Sequence, residues 1–304
     1  MDLGPSFNSK FLLFGEYGLM YGAMALAVPF PKYSGRLAFD TDGRHQESTA
    51  QMRRFFDHLK TKDSELNLYF PFDLGQFEVD LNRGLYFDSN IPQQYGVGSS
   101  GALVAALFSQ YAFPSDMGNN LSSELLKANF AILESFFHGR SSGLDPLISY
   151  LNKPILIDRE NHVTPIAFDP QHAGIAMALI DTQTSGATGP LVQHFINLFN
   201  FPEFEQAFEQ QFIPSNNACI ESLLQNNIPA FFQNVERLAR FEVYHFHEMI
   251  PVHFHRVISH SICSKIYIKL LGSGGGGFLL AFADSDKKLN DWSAKYGFQL
   301  TKIA

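Results

Sequence analysis

Cysteine is nearly absent from this chain. Its 304 residues hold two, Cys219 and Cys263, far apart and with no C-x-x-C partner. No disulfide framework or zinc-thiolate motif follows from them, and a reducing cytoplasm is the expected compartment. Basic residues are in the minority: 22 Lys and Arg against 30 Asp and Glu leave a net charge of −8, which excludes the basic face of a nucleic-acid binder. Long apolar runs are missing as well. The run that starts at Phe11 is broken by Glu16 and preceded by Lys10 alone, so neither a signal peptide nor a membrane span is expected. Internal repeats and low-complexity segments are absent. So is a Walker A motif, because no lysine follows Gly101 in the most glycine-rich helix start of the chain.

What is present is phenylalanine, 31 residues in a chain that is 45% apolar, enough for a large core in one big domain or two ordinary ones. Strands are expected at 11–14, 24–28 (closed by Pro29 and Pro31), 35–40, 77–81, 85–87, 153–158, 174–181, 265–271 and 278–282. Helices are expected at 49–59, from the glycine-serine loop to about 112, from 123 to about 137 behind a Ser122 cap, and over most of 190–260; 114–120 reads as a loop. These elements do not alternate as βαβ units, so the expected class is α+β, with a boundary near Gly174 separating 1–173 from 174–304.

The stretch Tyr95-Gly96-Val97-Gly98-Ser99-Ser100-Gly101-Ala102 runs straight into the apolar Leu103-Val104-Ala105-Ala106-Leu107. A helix start offers unpaired N–H groups and the positive end of the helix dipole, and glycines let an anion approach the backbone. The loop is therefore a candidate phosphate cradle. Read alone, it is equally a tight strand-to-helix turn with Ser99 as cap.

Other segments add to it. Ser9-Lys10-Phe11-Leu12-Leu13-Phe14-Gly15-Glu16-Tyr17, with Gly22 and Ala25-Leu26-Ala27-Val28, resembles the first signature of the GHMP small-molecule kinases, their mevalonate kinase branch in particular. The glycine-serine loop, with Pro92 before it, resembles their second signature, and Lys269-Leu270-Leu271-Gly272-Ser273-Gly274-Gly275-Gly276-Gly277 their third. The three stand in the family's order across nearly the whole chain. The resemblance implies a two-domain α+β fold, with an N-terminal domain like ribosomal protein S5 domain 2 and a C-terminal ferredoxin-like sandwich. It also implies ATP and Mg2+ as cofactors and a small hydroxyl acceptor, mevalonate first. A homodimer is the common assembly for such kinases.

The resemblance assigns roles residue by residue. Ser142-Gly143-Leu144-Asp145 resembles the S-G-[IVL]-D segment whose aspartate faces the acceptor hydroxyl, and Glu134 lies at the family's spacing before it. Asp145 would take the hydroxyl proton, with Lys10 beside it to offset charge on the phosphoryl oxygens. Ser100 and Glu134 would supply oxygen ligands to magnesium. Gly96, Val97, Gly98, Ser99, Ser100, Gly101 and Ala102 would hold the nucleotide phosphates. Glu16, Tyr17, Thr188 and Gly275 would face the acceptor. One departure stands out: Tyr17 takes the place of the family's usual histidine. Arg140 lies near enough in sequence to leave a phosphorylated acceptor open. Singly, Lys10 reads as a solvated lysine, Glu134 as an exposed helix charge, Asp145 before Pro146 as a turn residue, and Thr188 as a helix cap. The histidines at 245, 247, 253, 255 and 260 match no helical H-E-x-x-H spacing.

Overall fold

The computed structural model describes residues 2–62, 68–112, 122–139, 141–186 and 188–303. The 114–120 loop and Arg140 lie outside them, and so does the side chain of Thr188. By internal packing the chain forms two units that are not sequential halves. The first is Met1–Lys10, Pro29–Pro92 and Gly98–Lys153; the second is Phe11–Val28, Gln93–Val97 and Pro154–Ala304.

In chain order the first elements are β1 (Asp2–Phe14), β2 (Ala25–Phe39), α1 (Gln46–Lys62), α2 (Leu74–Asn82), β3 (Leu85–Ser89), α3 (Ser99–Tyr111), α4 (Ser123–His138) and α5 (Leu144–Leu151). Next come β4 (Ile155–Ile157), β5 (Val163–Pro165), β6 (Ala176–Asp181), α6 (Thr188–Leu198), α7 (Pro202–Ala207), α8 (Ile213–Leu224) and α9 (Ile228–His245). The chain ends with α10 (Val252–Cys263), β7 (Tyr267–Leu270), β8 (Phe278–Ala283), α11 (Asp286–Tyr296) and β9 (Leu300–Lys302).

β2 is one long strand where two were expected. Pro29 and Pro31 do not end it, because they fall between its ladder to β4, which stops at Ala27, and its ladder to β3, which starts at Gly35. β1 likewise begins far earlier than residue 11, despite glycine, proline, serine and asparagine in its first half; β2 lies beside it in the sheet. A second correction concerns 77–81, expected as a strand and found inside helix α2. Asp73 caps that helix by accepting from the Gln76 N–H at 2.8 Å. Phe77 and Leu81 are buried four residues apart while Val79 between them is 52% exposed, which is helical and not strand alternation. In the first unit Phe77 stacks on Tyr111 at 4.6 Å, and Phe108 meets Phe130 edge-on at 4.8 Å.

The second unit contains an antiparallel sheet in the order β7-β8-β6-β9. Counted from β6, this is order 2-3-1-4, with helices after the first and third strands: the split βαβ, ferredoxin-like arrangement. The α+β class and the ferredoxin-like C-terminal fold are thus as expected. Much of the phenylalanine goes here. Phe195, Phe208 and Phe212 are buried together beneath Tyr17 and Tyr21, with Phe208 stacked on Phe212 at 4.6 Å. Large aromatic side chains of this kind dominate core energetics.

Candidate active site

In the first unit two helix N-termini converge on Lys10. Helix α3 is entered through Gly98, which caps it in the left-handed conformation at φ 76° with no side-chain cap bond, so Ser99 is not the cap. A Cβ on Gly98 would lie 2.8 Å from the Lys10 Cε, so a side chain there would have to push the lysine aside from a backbone conformation that L residues rarely adopt. One turn into the helix, a Cβ on Gly101 would sit 2.7 Å from the Asp145 carbonyl carbon and 2.9 Å from the Pro146 nitrogen. Glycine at 101 therefore sets how closely α3 packs against the start of α5. Asp145 stands in the first turn of α5, where the helix dipole favours a carboxylate.

Five side chains meet at these two helix starts. Lys10 Nζ lies 2.6 Å from Asp145 Oδ1; the lysine side chain is 8% exposed and the aspartate 33%. The Ser100 hydroxyl donates to Glu134 Oε1 at 3.0 Å, and the Ser141 hydroxyl donates to Glu134 Oε2. Ser141 Oγ in turn accepts from the Gly143 N–H at 2.9 Å, which ties Glu134 on α4 to the loop that opens α5. Burial pushes the Glu134 carboxyl up to about 7, helped by the charge of Asp145 and opposed by Ser141, Lys10 and Ser100. The result is a wall of hard oxygen donors beside a lysine, at the positive ends of two helices. Such a surface suits a polyphosphate and a small divalent cation.

The expected phosphate residues divide by position. Gly96 and Val97 belong to the second unit, with Val97 buried; Gly98 through Ala102 belong to the first. The Ala102 N–H donates to the Gly98 carbonyl at 3.0 Å and closes the helix, so the N–H groups at the helix mouth are those of Ser99, Ser100 and Gly101.

The expected acceptor residues sit in the second unit, and three of them are engaged within the protein. Glu16 is 5% exposed, with its Oε2 2.7 Å from Lys269 Nζ. Tyr17 is 8% exposed, stacks on Phe195 at 4.3 Å, and donates its hydroxyl to the Ser273 carbonyl at 2.7 Å. Burial first, then the charges of Glu16 and Glu242, hold the Tyr17 phenol far above its ordinary value, so it remains a donor. Gly275 is on the second glycine loop at φ +75°, its N–H bonded to the Met249 carbonyl at 2.6 Å. Thr188 opens helix α6.

Sequence reasoning missed Ser141, Lys269 and Glu242. Lys269 stood inside a quoted motif without a role and Ser141 directly before one; Glu242 carried no local signal. The histidines are otherwise employed. His255 Nε2 lies 2.7 Å from the Ile250 carbonyl oxygen, and His245 stacks on Phe241 at 4.3 Å.

Comparison with known proteins gives the same direction. Residues 61–153 match the family model of the GHMP kinases N terminal domain. Among solved structures, a mevalonate kinase from L. major in complex with R-mevalonate superposes with TM-score 0.63 at 17% identity, over 97% of this chain and 91% of that one. A phosphomevalonate kinase from Streptococcus pneumoniae reaches TM-score 0.63 at 16% identity, over 99% of both chains. A Lactococcus lactis galactokinase complexed with galactose gives 0.57 at 12% identity, over 98% and 92%. No curated protein matches the chain in sequence. Residues 61–153 thus carry the GHMP kinases N terminal domain, and the chain as a whole has the fold of these kinases.

Proposed function

We propose that this protein is an ATP-dependent small-molecule kinase that phosphorylates the primary hydroxyl of mevalonate, in isoprenoid precursor synthesis. The observation that carries the reading is the Lys10–Asp145 pair at 2.6 Å, with Asp145 the more open partner, placed where two helix N-termini meet. The acceptor hydroxyl would give its proton to Asp145 as its oxygen forms a bond to the γ-phosphorus and the bond from that phosphorus to the bridging oxygen of ADP breaks. Lys10 would hold Asp145 in place and offset charge on the transferring group. The N–H groups of Ser99, Ser100 and Gly101 would meet the phosphate oxygens. Phosphoryl transfer asks mainly for this positioning and charge neutralisation.

The residues also fit magnesium. Glu134 is buried with its carboxyl raised to about 7, so its negative charge is undercompensated by the protein, and the donors around it are oxygens. Ser100 and Glu134 would hold the ion. When bound, magnesium neutralises the phosphate oxygens of the nucleotide. On the acceptor side, Thr188 and Gly275 are our candidates for contact. Glu16 and Tyr17 would act from beneath, through Lys269 and Ser273. We also propose the division 1–173 and 174–304 as the domain organisation, because every strand of the ferredoxin-like sheet follows Gly174.

A coupled ADP-release assay across mevalonate, phosphomevalonate, homoserine and galactose tests the reading. Turnover of mevalonate alone is expected. Turnover of another acceptor in its place overturns the substrate, and ADP release with none of the four overturns the acceptor class.

A further inference from the structure

The second glycine loop has no side chains of its own over Gly274–Gly277, so its shape depends on bonds made to its backbone and its flanks. Its entry strand, β7, lies at the edge of the sheet, where outward backbone groups have no neighbouring strand. The Leu270 N–H is one of these groups, and it donates to Oε2 of Glu242 on α9 at 2.7 Å. The preceding residue, Lys269, donates from Nζ to the Leu270 carbonyl at 2.6 Å and pairs with Glu16 at 2.7 Å. Further along, Tyr17 binds the Ser273 carbonyl, Met249 the Gly275 N–H, and Thr184 the Gly277 N–H at 2.6 Å. Glu242 and Lys269 are each 2% exposed and Glu16 5%.

Two acids and one lysine in one buried cluster is a costly arrangement. An apolar residue at 242 would leave the Lys269–Glu16 pair charge-balanced, and apolar replacements of buried ionic groups are often neutral or stabilising. Charge balance therefore does not account for Glu242; what depends on it is the Leu270 N–H, for which it is the acceptor. We propose that Glu242 is a positioning residue for the second glycine loop, fixing its entry through the Leu270 N–H while Lys269 links the same point to the Glu16–Tyr17 turn. The inference rests on the kinase reading, in which Gly275 of this loop is a candidate contact for the acceptor. Glu242 itself touches no substrate.

The test compares Glu242→Met, which removes the acceptor, with Glu242→Gln, which keeps an acceptor oxygen for Leu270. Both leave Lys269 paired with Glu16. In Glu242→Met, hydrogen exchange of the amides at 270–277 should be about tenfold faster while β6 and β8 keep their protection. In the same variant kcat should fall about 10- to 100-fold, with the Kd of a fluorescent ATP analogue unchanged within about twofold, since only transition-state positioning is lost. Glu242→Gln should recover both kcat and protection. Wild-type exchange and kcat in Glu242→Met overturn the proposal. Faster exchange spread evenly over β6, β8 and the loop, with a lower urea midpoint, overturns it in favour of a purely structural role. If the wild-type protein phosphorylates no acceptor, the kinase reading fails on its own, and the exchange data still decide whether Glu242 holds the loop.

Discussion

Two lysines are buried among the described residues, and each is paired with a carboxylate at nearly the same distance: Lys10 with Asp145 at 2.6 Å and Lys269 with Glu16 at 2.7 Å. They differ in what surrounds them. Asp145 is 33% exposed at the start of a helix, whereas Glu16 is 4% exposed and a further acid, Glu242, lies in the same cluster. The first pair has an open side from which a ligand can take over part of the interaction. The second is closed and spends its charge on backbone groups around a glycine loop. One ion pair does chemistry only if water and substrate reach it; the same ion pair sealed away sets geometry. The signature residues around both lysines look alike in sequence, and burial separates their roles.

The comparison breaks most visibly at its open end, the proposed catalytic pair. Asp145→Ala should lower kcat by about 10²–10⁴, the range for a lost general base, with ATP-analogue binding retained. Normal turnover in that variant would remove Asp145 from the mechanism. Replacing the two lysines should then give opposite patterns. Lys10→Met should cost about 10²–10³ in kcat, as for a lost charge-stabilising donor, with little change in the urea midpoint. Lys269→Met should cost about 3–5 kcal/mol of stability, because the buried Glu16 loses its cation. Equal stability losses in the two variants would erase the distinction between an open and a closed pair.

A smaller effect is expected at the proposed magnesium ligands. Glu134→Gln keeps a hydrogen-bonding partner for Ser100 and Ser141 but removes the charge, so the magnesium concentration for half-maximal rate should rise by about tenfold, the loss of one charged ligand contact. An unchanged magnesium titration would take Glu134 out of the ligand set.

The site in the first unit was legible because its residues cluster in short motifs: Lys10, the 98–101 loop, and Ser142 to Asp145 each show their chemistry within a few positions. Their convergence was not visible locally, since it depends on Gly98 and Gly101 admitting Lys10 and Asp145 at contact distance. Glu242 was illegible for a plainer reason. It lies 27 residues before Lys269 on a helix with no motif, and only the packing of α9 on β7 gives it a partner. The misread at 77–81 has a similar origin. Phe77, Val79 and Leu81 alternate like a strand, but five residues also satisfy a helical spacing, and the Asp73 cap was the signal that separates the two. The long β2 was missed because prolines read as terminators when the gap between two ladders is unseen.

The smallest effect is a slope in stability with pH, and it distinguishes the two regions again. Burial pushes the Glu242 carboxyl up to about 8, against the nearby Lys269 and the Leu270 N–H, with Glu16 adding to the rise. Cys219 on α8 shares the pocket, and burial raises its thiol well above the ordinary value. The folded state thus holds a proton on Glu242 that the unfolded chain has released above its ordinary 4.5. Stability from this group is complete below that value and is lost as pH rises to about 8, levelling beyond it. Glu134 contributes with the same sign but only to about 7. Urea midpoints measured from pH 5 to 9 should therefore fall up to about pH 8 and level beyond it, and the part between pH 7 and 8 should belong to Glu242. Glu242→Gln should flatten that last segment and make the earlier fall shallower, whereas Glu134→Gln should make only the earlier fall shallower and leave the last segment intact. If Glu242→Gln leaves the upper segment unchanged, the closed cluster does not hold its proton on Glu242, and the closed lysine pair is less different from the open one than its burial implies.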